Sequence, residues 1–279
     1  MKRHLAYILL ISAAIIFCMF RPFMPGRYDH LAVTISFMAQ IFSFASIILV
    51  PLGLLWILGR RDKGDIGNRN KRFKTVSLIF LVLVAISVSI APFSQNNLSF
   101  AVIFLGISFS SIVGTYIKNK KSTSLTNPIY DKTPLYLILI PLIVVVVRFT
   151  YIDKAVNFSR ELAVRNSEEL IHKIENYFDK NGQYPISLQA LSSDIMPQVI
   201  GIHQYFYEPN GNAYNLYFKQ FSDELDVHEI VMYNKFEEHF FAAHALDILE
   251  FTGEELALRR GDRRRFKLMA PHWICIKFE

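Results

Sequence analysis

Six histidines fall after residue 150, at His172, His203, His228, His239, His244 and His272, and such a concentration raises metal chemistry first. A zinc site on a helix wants two histidines four residues apart, ideally as His-Glu-x-x-His, and a strand wants them two apart. His239 and His244 are five apart and suit neither, so no metal ligands are assigned and scattered histidines are expected. Glu237 and Glu238 are adjacent, so their side chains diverge and do not form a general acid–base pair. Cys275 alternates with Ile274 and Ile276; a nucleophilic thiol there would need an activating base that no spacing supplies. The sequence holds no Gly-rich phosphate loop, Gly-x-Ser-x-Gly elbow or nucleotide fingerprint. No catalytic residue and no cofactor is assigned.

Arginine supplies the one group under physical tension, in Leu258-Arg259-Arg260-Gly261-Asp262-Arg263-Arg264-Arg265. If Gly261-Asp262 makes a two-residue turn, Arg260 faces Arg263 and Arg259 faces Arg264, and like charges directly opposite destabilise a sheet. Arg259, Arg260, Arg263, Arg264 and Arg265 are therefore candidates for binding an anionic partner, either membrane lipid headgroups or an acidic protein face. The alternative is a solvated turn paired with the domain's own carboxylates.

The elements that would carry these residues begin with five apolar stretches, at 5–20, 31–58, 75–92, 98–117 and 134–150, none with a charge in its interior. A bilayer core of about 30 Å needs about 20 such residues in a helix. The window 31–58 is longer than needed, which implies tilt or an interfacial first turn. The first stretch, after Met1-Lys2-Arg3-His4, also fits a signal peptide. No small-x-small cleavage site follows it, only Arg21-Pro22-Phe23-Met24-Pro25, so a retained anchor is expected. Pro51 and Pro141 are expected to kink their helices.

Lysine and arginine orient the spans. Thirteen basic residues occupy the amino terminus, the Arg60–Lys74 loop and the Lys118–Lys132 connection, whereas the opposite side up to residue 150 has only Arg21, Arg27 and Arg148. The amino terminus is therefore expected in the cytoplasm and the carboxyl-terminal domain outside, in a cell membrane of the bacterial inner-membrane type. The net charge of +6 divides into 16 basic and 4 acidic side chains over 1–150, against 14 and 20 over 151–279. Topology accounts for the basic excess, so nucleic acid is not an expected partner. Pumps, ion-coupled transporters and intramembrane proteases need ionisable groups at membrane depth, and the span interiors offer only Gln40 and scattered Ser and Thr. Gly106, Ser110 and Gly114 share one face of the fourth span, where helices can approach closely. That seam serves packing within the chain or, alternatively, an oligomer. The expected organisation is a four-span region 1–133, a fifth transmembrane helix 134–150 and an extracytoplasmic α+β domain 151–279.

In that domain Leu162, Leu170, Ile171, Ile174, Tyr177 and Phe178 form one stripe at helical spacing. Asn181-Gly182 and Pro185 end the helix, so a single helix over roughly 134–180 is expected if no break intervenes. The residues Glu175-Asn176-Tyr177-Phe178-Asp179-Lys180-Asn181-Gly182-Gln183-Tyr184-Pro185, followed by Leu188-Gln189-Ala190-Leu191, and the hairpin Tyr205–Phe221 complete a pattern over roughly 136–221. It resembles type IV pilin-like and type II secretion pseudopilin proteins. The resemblance implies a long amino-terminal helix packed on a small antiparallel sheet. Those families have a single span with a processing site and a glutamate just inside the apolar helix; this chain has four further spans and no such glutamate, so filament formation is not implied.

Asn210-Gly211 between aromatic runs signals a hairpin without the family. Glu229–Asn234 reads as a strand and Phe236–Leu249 leans to helix. Leu256–Arg260 and Arg263–Leu268 read as a second hairpin, and His272–Phe278 as the strand that closes the sheet. The expected function is that of a multi-pass membrane protein whose outer domain binds a partner, as a scaffold or accessory subunit of an envelope assembly. The alternative is a membrane-bound enzyme acting on a lipid or envelope polymer.

Overall fold

A computed structural model of the chain describes residues 2–59, 72–80, 82, 132–191, 195–221, 228–239 and 263–278. It separates into two compact units: one holds Met1–Phe20 and Thr34–Ile152, the other Arg21–Val33 and Asp153–Glu279. The Gly106, Ser110 and Gly114 seam lies outside the described residues, as do Arg259 and Arg260 and the fourth apolar window.

Among the described residues three helical stretches, Lys2–Phe23, His30–Leu58 and Thr133–Asn181, are long and apolar enough to cross a membrane. Helix α1 is Lys2–Phe20; α2, His30–Ala45, passes through a 3-10 turn at Ser46–Ile48 into α3, Leu49–Gly59. Pro51 stands in the first turn of α3, where the missing N–H would have bonded back into the 3-10 turn, so the irregularity sits where proline removes a donor. Polar groups on α2 bond locally or to the neighbouring helix: Ser36 Oγ donates to the Met19 carbonyl, and Ser43 Oγ to the Gln40 carbonyl. At the start of α4, Thr133–Asn166, Tyr136 Oη lies 2.9 Å from His4 Nδ1. A Cβ on Gly53 would come within 2.6 Å of Ile138, which explains a glycine in the middle of α3.

The expected helix over 134–180 is present as the helical stretch Thr133–Asn181, with a one-residue irregularity at Ser167 that divides it into α4 and a second helix. Ser167 interrupts it: its N–H reaches both the Ala163 and Val164 carbonyls and its hydroxyl takes the Val164 carbonyl at 2.6 Å. This is side-chain competition with the helix ladder. Helix α5, Glu168–Asn181, then ends on Gly182 at φ 71°, as the sequence pattern anticipates.

The second unit carries a five-stranded antiparallel sheet in the order β1-β2-β3-β5-β4, with β1 Phe206–Asn210, β2 Ala213–Gln220, β3 His228–Asn234, β4 Arg263–Lys267 and β5 Trp273–Phe278. The β1–β2 turn is Gly211-Asn212, with Gly211 at φ 59° and Asn210 paired to Ala213, one residue later than the Asn210-Gly211 signal suggests. β5 does not close the sheet: it lies between β3 and β4. β4 joins β5 through residues 268–272; the expected strand Leu256–Arg260 and the Gly261-Asp262 turn lie outside the described residues. The first residues of the expected Phe236–Leu249 helix are a turn and irregular chain, with Glu237 at φ 60°.

One sheet face packs on the helices. Leu162, Ala163, Leu170 and Ile174 from α4 and α5 meet Tyr214, Leu216, Phe218, Val231, Trp273 and Cys275 in one buried core. The other face carries Tyr217, Met232, Ile274 and Ile276 as a separate cluster. This second unit also takes in the connection after α1. Met24, Pro25 and Gly26 run antiparallel to 198–200, with Gly26 N–H on the Gln198 carbonyl, Ile200 N–H on the Met24 carbonyl and Gly201 N–H on the Pro22 carbonyl. The ring of Phe23 lies 5.5 Å from that of Phe221. Nothing in the composition of residues 21–33 announces this pairing.

Candidate binding surfaces

Directly paired residues of an antiparallel sheet point to the same face. Gln220 pairs with Glu229, Glu229 with Lys277, and Lys277 with Arg264, so one polar row crosses four strands at an end of the helix-facing side. Helix α4 completes it. Arg160 Nη2 binds Glu229 Oε2 at 2.7 Å, with its guanidinium carbon 5.5 Å from the Phe266 ring. Gln220 Nε2 donates to Ser159 Oγ at 2.9 Å. Lys277 Nζ takes the second oxygen of Glu229 at 2.8 Å. Two cations, Arg160 and Lys277, thus hold the Glu229 carboxylate, and Arg264 stands opposite Lys277 on β4.

Of the sequence-derived arginines, Arg263, Arg264 and Arg265 stand together on β4, the outermost described strand on that side. Arg264 and Arg265 are exposed, as is Lys267, which reaches Glu237 Oε2 at 2.8 Å. On the described side of β4 like charge faces like charge as Arg264 with Lys277; the expected Arg260–Arg263 and Arg259–Arg264 pairs involve residues outside the described ones. Part of the offset is present in the fold, since Glu229 holds Lys277 from the next strand. Spacing alone could not find this carboxylate, because Glu229 lies 35 residues before Arg264 in the chain.

Among the described residues His239 and His272 come together, and the other histidines stand apart. His172 is exposed on α5 and His203 follows the strand-like contact at residue 199; His228 begins β3; His244 lies outside the described residues. His239 and His272 share a small cleft of about 80 Å³ with Glu237 and Lys267. The His239 ring is turned inward on the fold, with Nδ1 3.0 Å from the Glu237 carbonyl and Nε2 3.0 Å from the His272 carbonyl, whereas the buried His272 Nδ1 has no hydrogen-bond partner among the described residues. The Lys267 ammonium on Glu237 holds that carboxyl below its ordinary range. Among the described residues no three of His, Cys, Asp and Glu group as metal ligands. Cys275 is fully buried in the core, and burial pushes its thiol up to about 12, with Arg160 opposing and Glu229 adding to the shift. It is therefore a protonated core side chain at neutral pH.

A larger cleft, of about 300 Å³, opens between Tyr28 and the neighbouring ends of β1 and β2. Tyr28 stands edge-on to His203 with ring centroids 4.7 Å apart, and Lys219 Nζ lies 5.7 Å from the Phe206 ring centre. Sequence reading missed this site because one wall comes from residues 21–33. Comparison of the chain with protein-family models, with curated proteins and with solved structures finds no match.

Proposed function

We propose that the chain is a multi-pass membrane protein of five spans whose extracytoplasmic domain binds an acidic protein partner along β4, as a scaffold or accessory subunit of an envelope assembly in a bacterial inner membrane. The observation that carries the reading is the exposed Arg264-Arg265 pair, with Lys267, on the outermost described strand. A cationic strand selects an acidic partner. The topology has support from two placements. Residues 21–33 belong to the same compact unit as 153–279, which requires an even number of crossings between them, as four spans after the first provide. The His4–Tyr136 contact sets the starts of α1 and α4 side by side, in keeping with both facing the cytoplasm. The order of helix, turn and hairpin over 136–221 also fits the pilin-like resemblance as a domain shape. The enzyme alternative stands as the second reading: His239, His272 and Glu237 share one small cleft, where His239 and Glu237 are engaged within the fold while the buried His272 Nδ1 has no hydrogen-bond partner among the described residues.

The test is site-specific photocross-linking from position 269, the fully exposed Met269 just after β4, in the full chain in cells, with Arg264→Gln/Arg265→Gln as the comparison. Capture of one acidic partner, lost in the folded double variant and weakened by salt because exposed charges are screened over about 8–10 Å, is expected. Equal capture by the double variant would reject the β4 surface.

A further inference from the structure

The larger cleft has its own chemistry, separate from β4. Among the described residues no carboxylate pairs with Lys219, whereas Lys235, Lys267 and Lys277 are each held by a glutamate. Asp29, the acidic residue nearest Tyr28 in the chain, is taken by Arg21 at 2.9 Å. Among the described residues the cleft therefore offers an ammonium with no carboxylate partner, beside the aromatic side chains of Tyr28, Phe206 and Phe221. Gln220 in its lining is fixed: Ser159 Oγ spends its hydrogen on the Val156 carbonyl and so accepts from Gln220 Nε2. The size, about 300 Å³, is the lower end of the range for small-ligand sites.

The chain also sets the depth of the cleft. Tyr28 is two residues before His30, where the apolar stretch His30–Leu58 begins, and two residues reach at most about 7 Å. Provided that this stretch is a membrane span, as proposed above, the cleft wall lies among lipid headgroups, a depth at which amphipathic aromatics such as Tyr28 are favoured. We infer that the cleft binds the phosphate of an anionic phospholipid headgroup, with Lys219 as the counter-ion and the aromatic side chains against its glycerol portion.

The full chain, purified in detergent, is titrated with dihexanoyl phosphatidylglycerol, dihexanoyl phosphatidylcholine and inorganic phosphate, with binding read by thermophoresis. Saturable binding of the phosphatidylglycerol is expected, with weaker binding of the choline lipid and of phosphate. Lys219→Gln, folded by circular dichroism, should weaken it about tenfold, the effect of one lost charge-assisted contact; Lys219→Arg should stay within about twofold of the parent. Equal affinity in Lys219→Gln, equal binding of both lipids, tighter binding of free phosphate or no saturable binding would each overturn the inference. Release of the chain from membranes by alkaline carbonate would instead overturn the span reading on which it rests.

Discussion

Arg160 and Glu229 meet at 2.7 Å with 7% and 2% of their side chains exposed, 69 residues apart in the chain. They tie α4 to β3 at the polar end of a core that is otherwise aromatic and aliphatic. Removing one member of a buried pair strands the other charge, at about 3–5 kcal/mol. Glu229→Gln is expected to lower the melting temperature of the full chain markedly, since it strands Arg160 and releases Lys277. Arg160→Met combined with Glu229→Leu should recover much of that loss. Differential scanning fluorimetry of the three variants checks this, and equal melting of Glu229→Gln and parent would show that the pair contributes little.

Alkali should unfold the domain. Burial raises the ionisation of Tyr205, Tyr207 and Tyr214 above the ordinary 10.0, and of Cys275 from 9.0 to about 12. Above pH 9 to 10 the unfolded chain has lost these protons while the folded one keeps them, so stability falls as pH rises. Tyrosinate absorbance near 295 nm should therefore rise in two phases, exposed tyrosines first and the buried set together with loss of circular dichroism. In a Cys18→Ser background, Cys275 should resist maleimide at neutral pH until denaturant is added. Rapid labelling of the folded protein would contradict the buried placement.

The docked segment 21–33 makes a separate prediction. A Cβ at Gly201 would meet the Pro22 carbonyl at 2.8 Å, so Gly201→Val must push away the strand that Gly201 N–H holds at 2.7 Å. Overpacking of this kind costs about 1–3 kcal/mol. The variant should melt lower and be cut faster by trypsin at Arg27. At Gly182 a Cβ would meet nothing within 4 Å, so Gly182→Ala should cost only the strain of its φ of 71°, about 1 kcal/mol, and leave Arg27 protected.

Topology is checked with a reporter that is active only outside the cytoplasm. Fusions after Glu279 and within Ser94–Asn97 should be active, and fusions in Arg60–Lys74 silent, since basic loops resist translocation. A silent fusion at Glu279 would overturn the span count or the orientation.

Legibility in the sequence followed the range of the interaction. The stop at Gly182, the β1–β2 hairpin and the strands β3 and β5 are local, set by turn residues and alternation within about ten positions. The stripe Leu162, Leu170 and Ile174 marked the core face of α4 and α5 correctly. The break at Ser167 left no trace in that stripe, because a hydroxyl competing for a carbonyl does not disturb hydrophobic spacing. The position of β5 inside the sheet and the pairing of Lys277 with Arg264 depend on strand order, which alternation does not encode. Arg263, Arg264 and Arg265 were found by their mutual charge, but Glu229 and Arg160 beside them were not, since partners 69 residues apart share no local pattern. The cleft at Lys219 was invisible for the same reason, its Tyr28 wall being supplied from before the second apolar stretch.

The strand contact between Pro25 and Val199 also has a meaning for synthesis. Its two halves are separated by 174 residues, and a ribosome adding about 5–20 residues per second takes roughly 10–35 s to make that interval. On the topology proposed above, the segment around Pro25 waits that long for its partner while the later apolar stretches are inserted. On that topology the pairing closes late in synthesis, and an insertion error in one span between its two halves would leave them on opposite sides of the bilayer. Correct completion of the sheet-bearing domain would then report on the crossing of the whole chain, a proofreading step that needs no second protein.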